Sequence, residues 1–321
     1  MSKVVKIIIA SLVTLAAAVT GILVYCYEFA FHRNEKKESK EKEAPTGEQY
    51  EPYKEVIIKG ASNILDAPYE KVSITSRDGI RLVGRYYHTA DDAPVSIIFH
   101  GYRSNIGCDC NGGYSLSLKN GYNVLAVYQR AHKESGGRTI TFGVKERYDC
   151  LDWIDYILKR NGKDTKILLM GLSMGAATVL MAGGLDLPSN VKGIFADCGY
   201  SSPKEILQTV AKQMGYPVKP TYFFVRWSAR IFGGFDPEEA SAVDAMKKCK
   251  VPVLIIHGDD DRFVPCQMSR DNYDACSSEK ELLIVKGAGH GLSYCVDAKS
   301  YEEAVQSFIH KVMSDKQESN L

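Results

Sequence analysis

The sequence predicts a doubly wound α/β fold, in which a mostly parallel β-sheet carries helices on both faces. Several short, nearly continuous apolar runs are typical of parallel strands that are buried on both sides. Segments with helical periodicity, such as residues 145–162, separate these runs and fit crossover helices between parallel strands. No second linker divides the chain after residue 49, so we expect a single sheet.

Eight segments are predicted as strands. The first two alternate polar and apolar residues and are joined by a Ser-Arg-Asp-Gly turn, which predicts an antiparallel pair at one edge of the sheet. The other six are more uniformly apolar and are expected in its interior. The eight segments are residues 71–75, 80–87, 95–100, 122–128, 166–172, 191–197, 251–258 and 281–287.

The composition excludes some classes of function. With 40 basic and 39 acidic residues among 321, the formal charge is +1, so the chain lacks the broad basic surface that nucleic-acid binding needs. After Cys26, the cysteines show no paired CxxC spacing, and we predict no zinc site. Most are expected to be buried thiols in the core, with disulfide pairing in an exported domain as the alternative.

The first 31 residues are predicted to form a membrane anchor. Residues 7–27 are uncharged and would form a helix of about 31 Å, which matches the hydrocarbon core of a bilayer. A cleaved secretory signal is the alternative, although the apolar region of a signal usually has only about 7 to 15 residues. Basic residues on both sides leave the orientation open, and we slightly favour a domain outside the cytoplasm.

The rest of the chain is predicted to contain a tether and one domain. Residues 32–48 have high charge and few apolar side chains, which predicts a solvated tether without a fold of its own. Residues 49–321 would form the domain. Within it, residues 200–248 contain two or three predicted helices where one crossover would suffice, so we expect a small helical cap there.

The stretch Gly171-Leu172-Ser173-Met174-Gly175 lies between a predicted strand and a helix of small residues. A serine at such a sharp turn holds its hydroxyl above the edge of the sheet, and the glycines leave room for close backbone contacts. The start of the helix adds free N–H groups and the positive end of a dipole. We therefore predict that Ser173 is a nucleophile.

A serine nucleophile requires a histidine base and a carboxylate that orients it. His290 lies in a glycine-rich loop after the last predicted strand and is the candidate base, whereas the other histidines are predicted to be structural or exposed. Spacing alone does not separate Asp259, Asp260 and Asp261 as the third member. Asp197, at the end of a neighbouring strand, is a further candidate.

From about residue 72 to residue 309, the chain resembles the α/β-hydrolase fold family, and more narrowly its bacterial membrane-tethered serine hydrolases similar to the Bem46 group. The resemblance lies in five motifs: residues 97–105, 129–154, 171–180, 257–265 and 287–291. In that family a motif similar to HGxxDxxVP carries the acid four residues after its histidine. This implies Asp261, with Asp197 in reserve.

The resemblance also implies an oxyanion hole formed by the backbone N–H groups of Tyr102 and Met174. The chain departs from its relatives around residues 128–135, where Tyr128 and Lys133 replace an aspartate and a glycine. This departure puts the conformation of the neighbouring loop in doubt. His132, in the same stretch, is predicted to be structural.

These residues predict a serine hydrolase of carboxylic esters or thioesters that requires neither metal nor cofactor. Its substrate would be a small-molecule acyl ester or thioester, with lipids among the candidates. Aromatic residues of the cap would either line an apolar acyl pocket or pack the cap onto the sheet. The alternatives are a peptidase or aminopeptidase with the same triad and a tethered binding protein with a vestigial triad.

Overall fold

The computed structural model describes residues 1–314 and confirms the predicted α/β sheet. Eight strands form one sheet in the order β1-β2-β4-β3-β5-β6-β7-β8. All eight predicted segments are strands, and their ends agree within two residues. The strands are β1 (Glu70–Thr75), β2 (Arg81–Tyr87), β3 (Val95–Phe99), β4 (Asn123–Tyr128), β5 (Ile167–Leu172), β6 (Val191–Asp197), β7 (Val253–Gly258) and β8 (Lys280–Val285).

Helices cover both faces of this sheet. They are α1 (Lys3–Ala30), α2 (Lys54–Leu65), α3 (Ile106–Asp109), α4 (Asn111–Lys119), α5 (Glu146–Asn161), α6 (Met174–Gly183), α7 (Pro203–Gln213), α8 (Val218–Ser228), α9 (Ala242–Met246), α10 (Cys266–Ala275), α11 (Ser293–Val296) and α12 (Ala298–Met313). Two buried clusters of apolar side chains, one on each face, form the core.

The pairing of the strands determines where the functional loops meet. β1 pairs with β2 and β2 with β4 in antiparallel orientation, whereas all other neighbouring strands are parallel. The carboxyl ends of β5, β6, β7 and β8 therefore lie at the same edge of the sheet. In open α/β sheets, ligands bind at this edge.

Residues 32–48 differ from the predicted solvated tether, because they lie against the domain. Arg33 Nη1 donates a hydrogen bond to the carbonyl oxygen of Ser135 at 2.9 Å. The backbone N–H of Arg33 donates to the carbonyl oxygen of Arg138 at 2.8 Å. The Glu38 carboxylate is buried and lies 3.7 Å from Lys133 Nζ. Some of the charged side chains of this segment are thus held by groups on the domain.

The cap consists of α7, α8, a π-helical turn at Ala229–Gly233, and α9. The carboxyl-terminal part of α1 packs against α8 and the π-helical turn. Two of the seven cap aromatic side chains that the sequence analysis considers, Tyr222 and Phe235, are buried, and Phe224 is half-buried. The other four are exposed: Tyr216, Phe223, Trp227 and Phe232.

Two buried histidines support the loop that follows β3. The His100 ring lies with Nδ1 2.7 Å from the carbonyl of Gly101, and its Nε2 accepts the backbone N–H of Gln129 at 3.1 Å. His132, predicted to be structural, accepts the backbone N–H of Arg103 through Nε2 at 2.9 Å. Each ring can accept such a bond only when it is neutral, and burial lowers the pKa of His100 to about 4.

The buried histidines His100 and His132 predict a measurable loss of stability in acid. Between the ordinary histidine pKa of 6.5 and about 4, the unfolded chain binds a proton at His100 that the folded chain does not. The free energy of unfolding should therefore fall as the pH drops through this range, by at most about 1.4 kcal/mol per pH unit for this residue. Replacing His100→Gln should remove that part of the slope.

The measurement is denaturant unfolding of the full chain in detergent, followed by the fluorescence of the buried Trp153, from pH 7.5 to pH 4.5. His88→Gln is the matched control, because His88 is exposed, with 57% of its side-chain surface accessible. Equal pH slopes for the wild type and His100→Gln would contradict a neutral His100 in the folded state.

Candidate active site

The turn between β5 and α6 holds Ser173 in a strained backbone conformation. Its φ of 55° and ψ of −116° lie in a region that non-glycine residues rarely adopt. A Cβ at Gly171 would lie 2.3 Å from the carbonyl carbon of Gly175, and one at Gly175 would lie 2.0 Å from the carbonyl oxygen of Phe99. Both glycines are therefore required by the close approach of α6 to β3 and β5.

Three predicted residues from three separate loops form one chain of hydrogen bonds. Ser173 Oγ lies 3.0 Å from His290 Nε2, and His290 Nδ1 lies 2.6 Å from Asp261 Oδ2. With the proton on Nδ1, the ring donates to the carboxylate and its Nε2 accepts the serine hydroxyl. Asp261 is buried, and His290 keeps 14% of its side-chain surface exposed.

Asp261 is held as a carboxylate by several donors. Its Oδ1 accepts the backbone N–H groups of Phe263 and Val264, each at 2.9 Å, and His257 Nε2 lies 3.1 Å from Oδ2. Burial by itself would raise the pKa of Asp261. The hydrogen bonds from His257 and His290 outweigh burial and hold the pKa well below its usual range.

The other candidate aspartates have different partners. Asp259 Oδ1 accepts the backbone N–H of Gly287 at 2.6 Å, and Asp260 pairs with Arg262 at 3.2 Å. Asp197 Oδ2 accepts the hydroxyl of Tyr301 at 3.0 Å, and burial raises the pKa of Asp197 to about 6.

Asp197 contributes to the site through its backbone. Its carbonyl oxygen accepts the N–H of Ser173 at 2.8 Å, which helps to hold the strained turn in place. Its side chain makes no hydrogen bond to His290 within residues 1–314, whereas Asp261 does. This difference favours Asp261 as the acid.

The two predicted oxyanion donors belong to the loop after β3 and to the first turn of α6. Within the described part of the chain, the backbone N–H groups of Tyr102 and Met174 have no acceptor and are free for a ligand. The loop that carries Tyr102 is fixed on both sides, because Gly101 N–H donates to Asp109 Oδ2 at 2.6 Å and Arg103 N–H donates to His132. The Tyr102 hydroxyl donates to the carbonyl of Ala30, at the end of α1, at 3.0 Å.

Several residues near the nucleophile are absent from the sequence prediction. A Cβ at Gly101 would lie 2.8 Å from Asp109 Oδ2 and 3.3 Å from Ser173 Cβ, so the Asp109 carboxylate lies beside the nucleophile. Burial raises the pKa of Asp109. The Phe263 ring lies 5.2 Å from that of His290. In the sequence, Asp109 stands between Cys108 and Cys110, a pattern that does not indicate a place beside Ser173.

The segment before α2 covers the histidine loop. A Cβ at Gly289 would lie 2.2 Å from Gln49 Oε1, and the pKa of Tyr50 is raised by burial and by the nearby Cys198, Asp261 and Asp109. Tyr50 therefore lies close to the carboxylates of the site. Nothing in the sequence pattern of this segment indicates the contact, because its residues are polar and lack periodicity.

The unusual residues at 128 and 133 explain the position of the N-terminal segment (residues 32–53). The Tyr128 hydroxyl donates to Glu41 Oε1 at 2.7 Å, and Lys133 Nζ donates to the carbonyl of Ser39 at 2.9 Å. Tyr128 and Lys133 thus provide binding positions for this segment.

One group of potential metal ligands occurs in the part of the chain that the structure describes. Ligand atoms of Cys198, Asp261 and His290 lie within 4.8 Å of one another. Asp261 and His290 already hydrogen-bond each other, and burial raises the pKa of the Cys198 thiol well above its usual value, which opposes the thiolate that a metal needs. The group fits a hydrogen-bonded triad better than a metal centre.

A cavity of about 220 Å³ lies directly behind the nucleophile, between α2, α4 and α12. It reaches Leu172, which precedes Ser173, and Gly291, which follows His290. Asp109 and Asp197 also line it. The site therefore has a partly polar space on the face of the sheet opposite the cap.

Comparisons with known proteins agree with this geometry. A family model described as the alpha/beta hydrolase fold matches residues 94–231, which include Ser173. A model described as serine aminopeptidase S33 matches residues 225–294, which include Asp261 and His290.

Similar proteins occur in bacteria, fungi and archaea. The uncharacterized protein YqkD of Bacillus subtilis is 28% identical over 233 residues, which cover 70% of this chain and 74% of that protein. The protein bem46 of Schizosaccharomyces pombe is 23% identical over 66% of this chain and 67% of its own length. A solved esterase of Pyrococcus furiosus superimposes with a TM-score of 0.65 at 24% identity, covering 79% of this chain and 94% of that one. The chain therefore has the α/β-hydrolase fold and is similar to the Bem46 proteins, as its motifs predict.

Proposed function

We propose that this hydrolase cleaves carboxylic esters or thioesters through an acyl-enzyme on Ser173. The observation that carries the proposal is the unbroken chain of hydrogen bonds from Ser173 through His290 to Asp261. The positive φ of Ser173 and the free N–H groups of Tyr102 and Met174 support the same chemistry. The match to a solved esterase supports the fold that this chemistry needs.

The proposed reaction has two half-reactions. Ser173 Oγ attacks the carbonyl carbon while His290 Nε2 takes the hydroxyl proton, and the imidazolium then protonates the departing alcohol or thiol. Water, deprotonated by His290, attacks the acyl-enzyme and releases the acid. Asp261 stabilises the imidazolium in both halves. The N–H groups of Tyr102 and Met174 bind the oxyanion, each contributing about 3 to 4 kcal/mol.

We also propose that α1 anchors the enzyme in a membrane. It is 28 residues long, and its most apolar window has a mean hydropathy of 2.6. The proposed substrate is a small-molecule acyl ester or thioester, and the anchor adds lipid esters to the candidates. The proposal places the catalytic domain outside the cytoplasm.

Replacing Ser173→Ala should abolish covalent labelling by a fluorophosphonate, because the probe reacts with an activated serine oxygen. Ester hydrolysis should fall to the background of the uncatalysed reaction. Ser73→Ala, on the exposed face of β1, is the matched control and should keep full labelling. Equal labelling of wild type and Ser173→Ala would remove Ser173 from the mechanism.

The acid is tested by a pair of isosteric substitutions. Asp261→Asn should lower kcat by about 10⁴-fold, because an amide no longer holds His290 in the productive tautomer. Asp197→Asn keeps an acceptor for Tyr301 and should change kcat by less than about tenfold. Steady-state ester hydrolysis by both variants checks this assignment. The reverse order of effects would identify Asp197 as the acid.

A peptidase activity is the second candidate, and the match of residues 225–294 to the serine aminopeptidase model favours it. The two proposals are separated by a panel of esters with graded acyl chains and the corresponding aminoacyl amides. We expect kcat/KM to be higher for the esters, because an amide carbonyl is less reactive and its amine leaves only after protonation. A preference for the amides would favour the peptidase. Well-folded protein that neither turns over the panel nor labels would favour the binding protein with a vestigial triad.

A further inference from the structure

We propose that the exposed apolar face of the cap inserts into the surface of the bilayer beside α1. This cap patch consists of Phe223, Trp227, Ile231 and Phe232. The inference rests on the proposed membrane anchor and does not depend on the hydrolase activity. It identifies a lipid surface as the partner of the cap.

The cap patch exposes more apolar surface than a solvated helix normally carries. Phe223 and Ile231 are 57% and 55% exposed, and Trp227 and Phe232 are each 40% exposed. Phe223 and Trp227 are four residues apart on α8, so their side chains share one face of the helix. A contiguous group of large exposed apolar side chains marks an interaction surface.

The cap patch is continuous with α1. The Phe232 ring lies 5.8 Å from that of Tyr27, near the end of α1. On the other side of α8, a small apolar cavity of about 80 Å³ separates the last turns of α1, including Tyr25 and Phe29, from Met214 and Val225 of the cap. The side chains on both sides of α8 thus extend the apolar surface of the anchor.

The length of α1 requires part of the cap to enter the membrane. The side chains of Val19, Leu23, Cys26 and Tyr27 are half-buried and that of Ala30 is buried, so the domain covers one face of the last three turns. Residues 7–18, the rest of the uncharged run, extend only about 18 Å as a helix, and residues 3–18 only about 24 Å. Neither length crosses a hydrocarbon core of about 30 Å. If α1 spans the bilayer, its covered turns lie inside it, and the elements that cover them enter its surface.

The residues around the cap patch are of the types that occur where a protein meets the membrane surface. Arg230 stacks on Trp227, with its guanidinium carbon 4.9 Å from the ring centroid, and Lys219 is exposed on the same helix. Aromatic and basic side chains are enriched where a protein meets lipid headgroups. Because Arg226 and Arg230 also pair with Asp236, the rim has little net charge, and apolar insertion should carry most of the binding.

This placement would bring the catalytic site to the lipid surface. The oxyanion loop is bound to the end of α1, since Tyr102 Oη donates to the carbonyl of Ala30 and Arg103 Nη2 donates to that of Phe29 at 2.8 Å. The patch and this loop therefore contact the same two turns of α1. An ester that resides in the membrane would reach Ser173 without crossing bulk water.

The experiment uses the emission of Trp227 in the full chain. The protein has two tryptophans, of which Trp153 is 1% exposed, and α1 contains none. The chain is reconstituted into phosphatidylcholine vesicles with and without a lipid that carries a doxyl quencher in its acyl chain. We expect quenching of Trp227, stronger from a doxyl group near the headgroup than from one near the chain end, and weak quenching by aqueous acrylamide. Trp227→Phe should remove the lipid-dependent component.

A second set of variants changes the cap patch but keeps Trp227 as the fluorescent reporter. Phe223→Glu with Ile231→Glu should shift Trp227 from lipid quenching to acrylamide quenching. The matched control Leu118→Glu, at a 38% exposed position on α4, should leave both unchanged. Vesicle flotation and fluorophosphonate labelling of the same samples report the anchor and the nucleophile separately.

Two results would overturn the proposal. One is a chain that floats with the vesicles and labels normally, while Trp227 responds to acrylamide and not to the doxyl lipids; this rejects the cap patch and leaves the hydrolase intact. The other is a chain that does not float with the vesicles, which removes the anchor on which the patch depends.

Discussion

The strained turn at Ser173 is the constraint on which the rest of the site depends. A residue in such a sparsely populated conformation costs of the order of 1 to 3 kcal/mol, and the surroundings must hold it there. The bond from Ser173 N–H to the Asp197 carbonyl and the contact of Gly175 with β3 supply this support. The same contact fixes the distance between the start of α6 and the loop after β3. The same backbone contact therefore fixes the position of Ser173 and the positions of the two free N–H groups.

The site also depends on a layer of buried histidines and carboxylates beneath it. His257 donates to Asp261, His132 accepts from the loop that carries Tyr102, and Asp109 accepts from Gly101 on the other side of that loop. Each bond fixes a backbone or ring in one orientation, which is the preorganisation that the proposed oxyanion hole would require. Protonation of His132 would turn the ring nitrogen that accepts the Arg103 N–H into a donor.

The sequence predicts the sheet and the sharp turn at Ser173 well because both depend on local patterns. Buried parallel strands require apolar runs, and the turn at Ser173 requires glycines at fixed spacing, so each leaves a signal within a few residues. The choice of Asp261 required the family resemblance, because spacing does not distinguish three adjacent aspartates. Only the folded loop shows that the three have different hydrogen-bond partners. Asp109 and Tyr50 left no such signal, because the contacts that bring them to the site join distant parts of the chain. The position of residues 32–48 against the domain left no local signal for the same reason. Glu38 lies near Lys133, and Glu41 accepts a hydrogen bond from Tyr128, so both contacts join distant parts of the chain.

The contacts between α1 and the loop after β3 connect the N-terminal helix to the candidate site. The last carbonyls of a helix lack intrahelical partners and carry the negative end of its dipole. Here Tyr102 and Arg103 satisfy the carbonyls of Ala30 and Phe29, and both belong to the loop whose backbone presents a free N–H to the nucleophile. A tilt of the helix would therefore act directly on the position of that N–H. If α1 spans a bilayer as we propose, membrane thickness and packing set its tilt, and these two hydrogen bonds transmit that tilt to the loop.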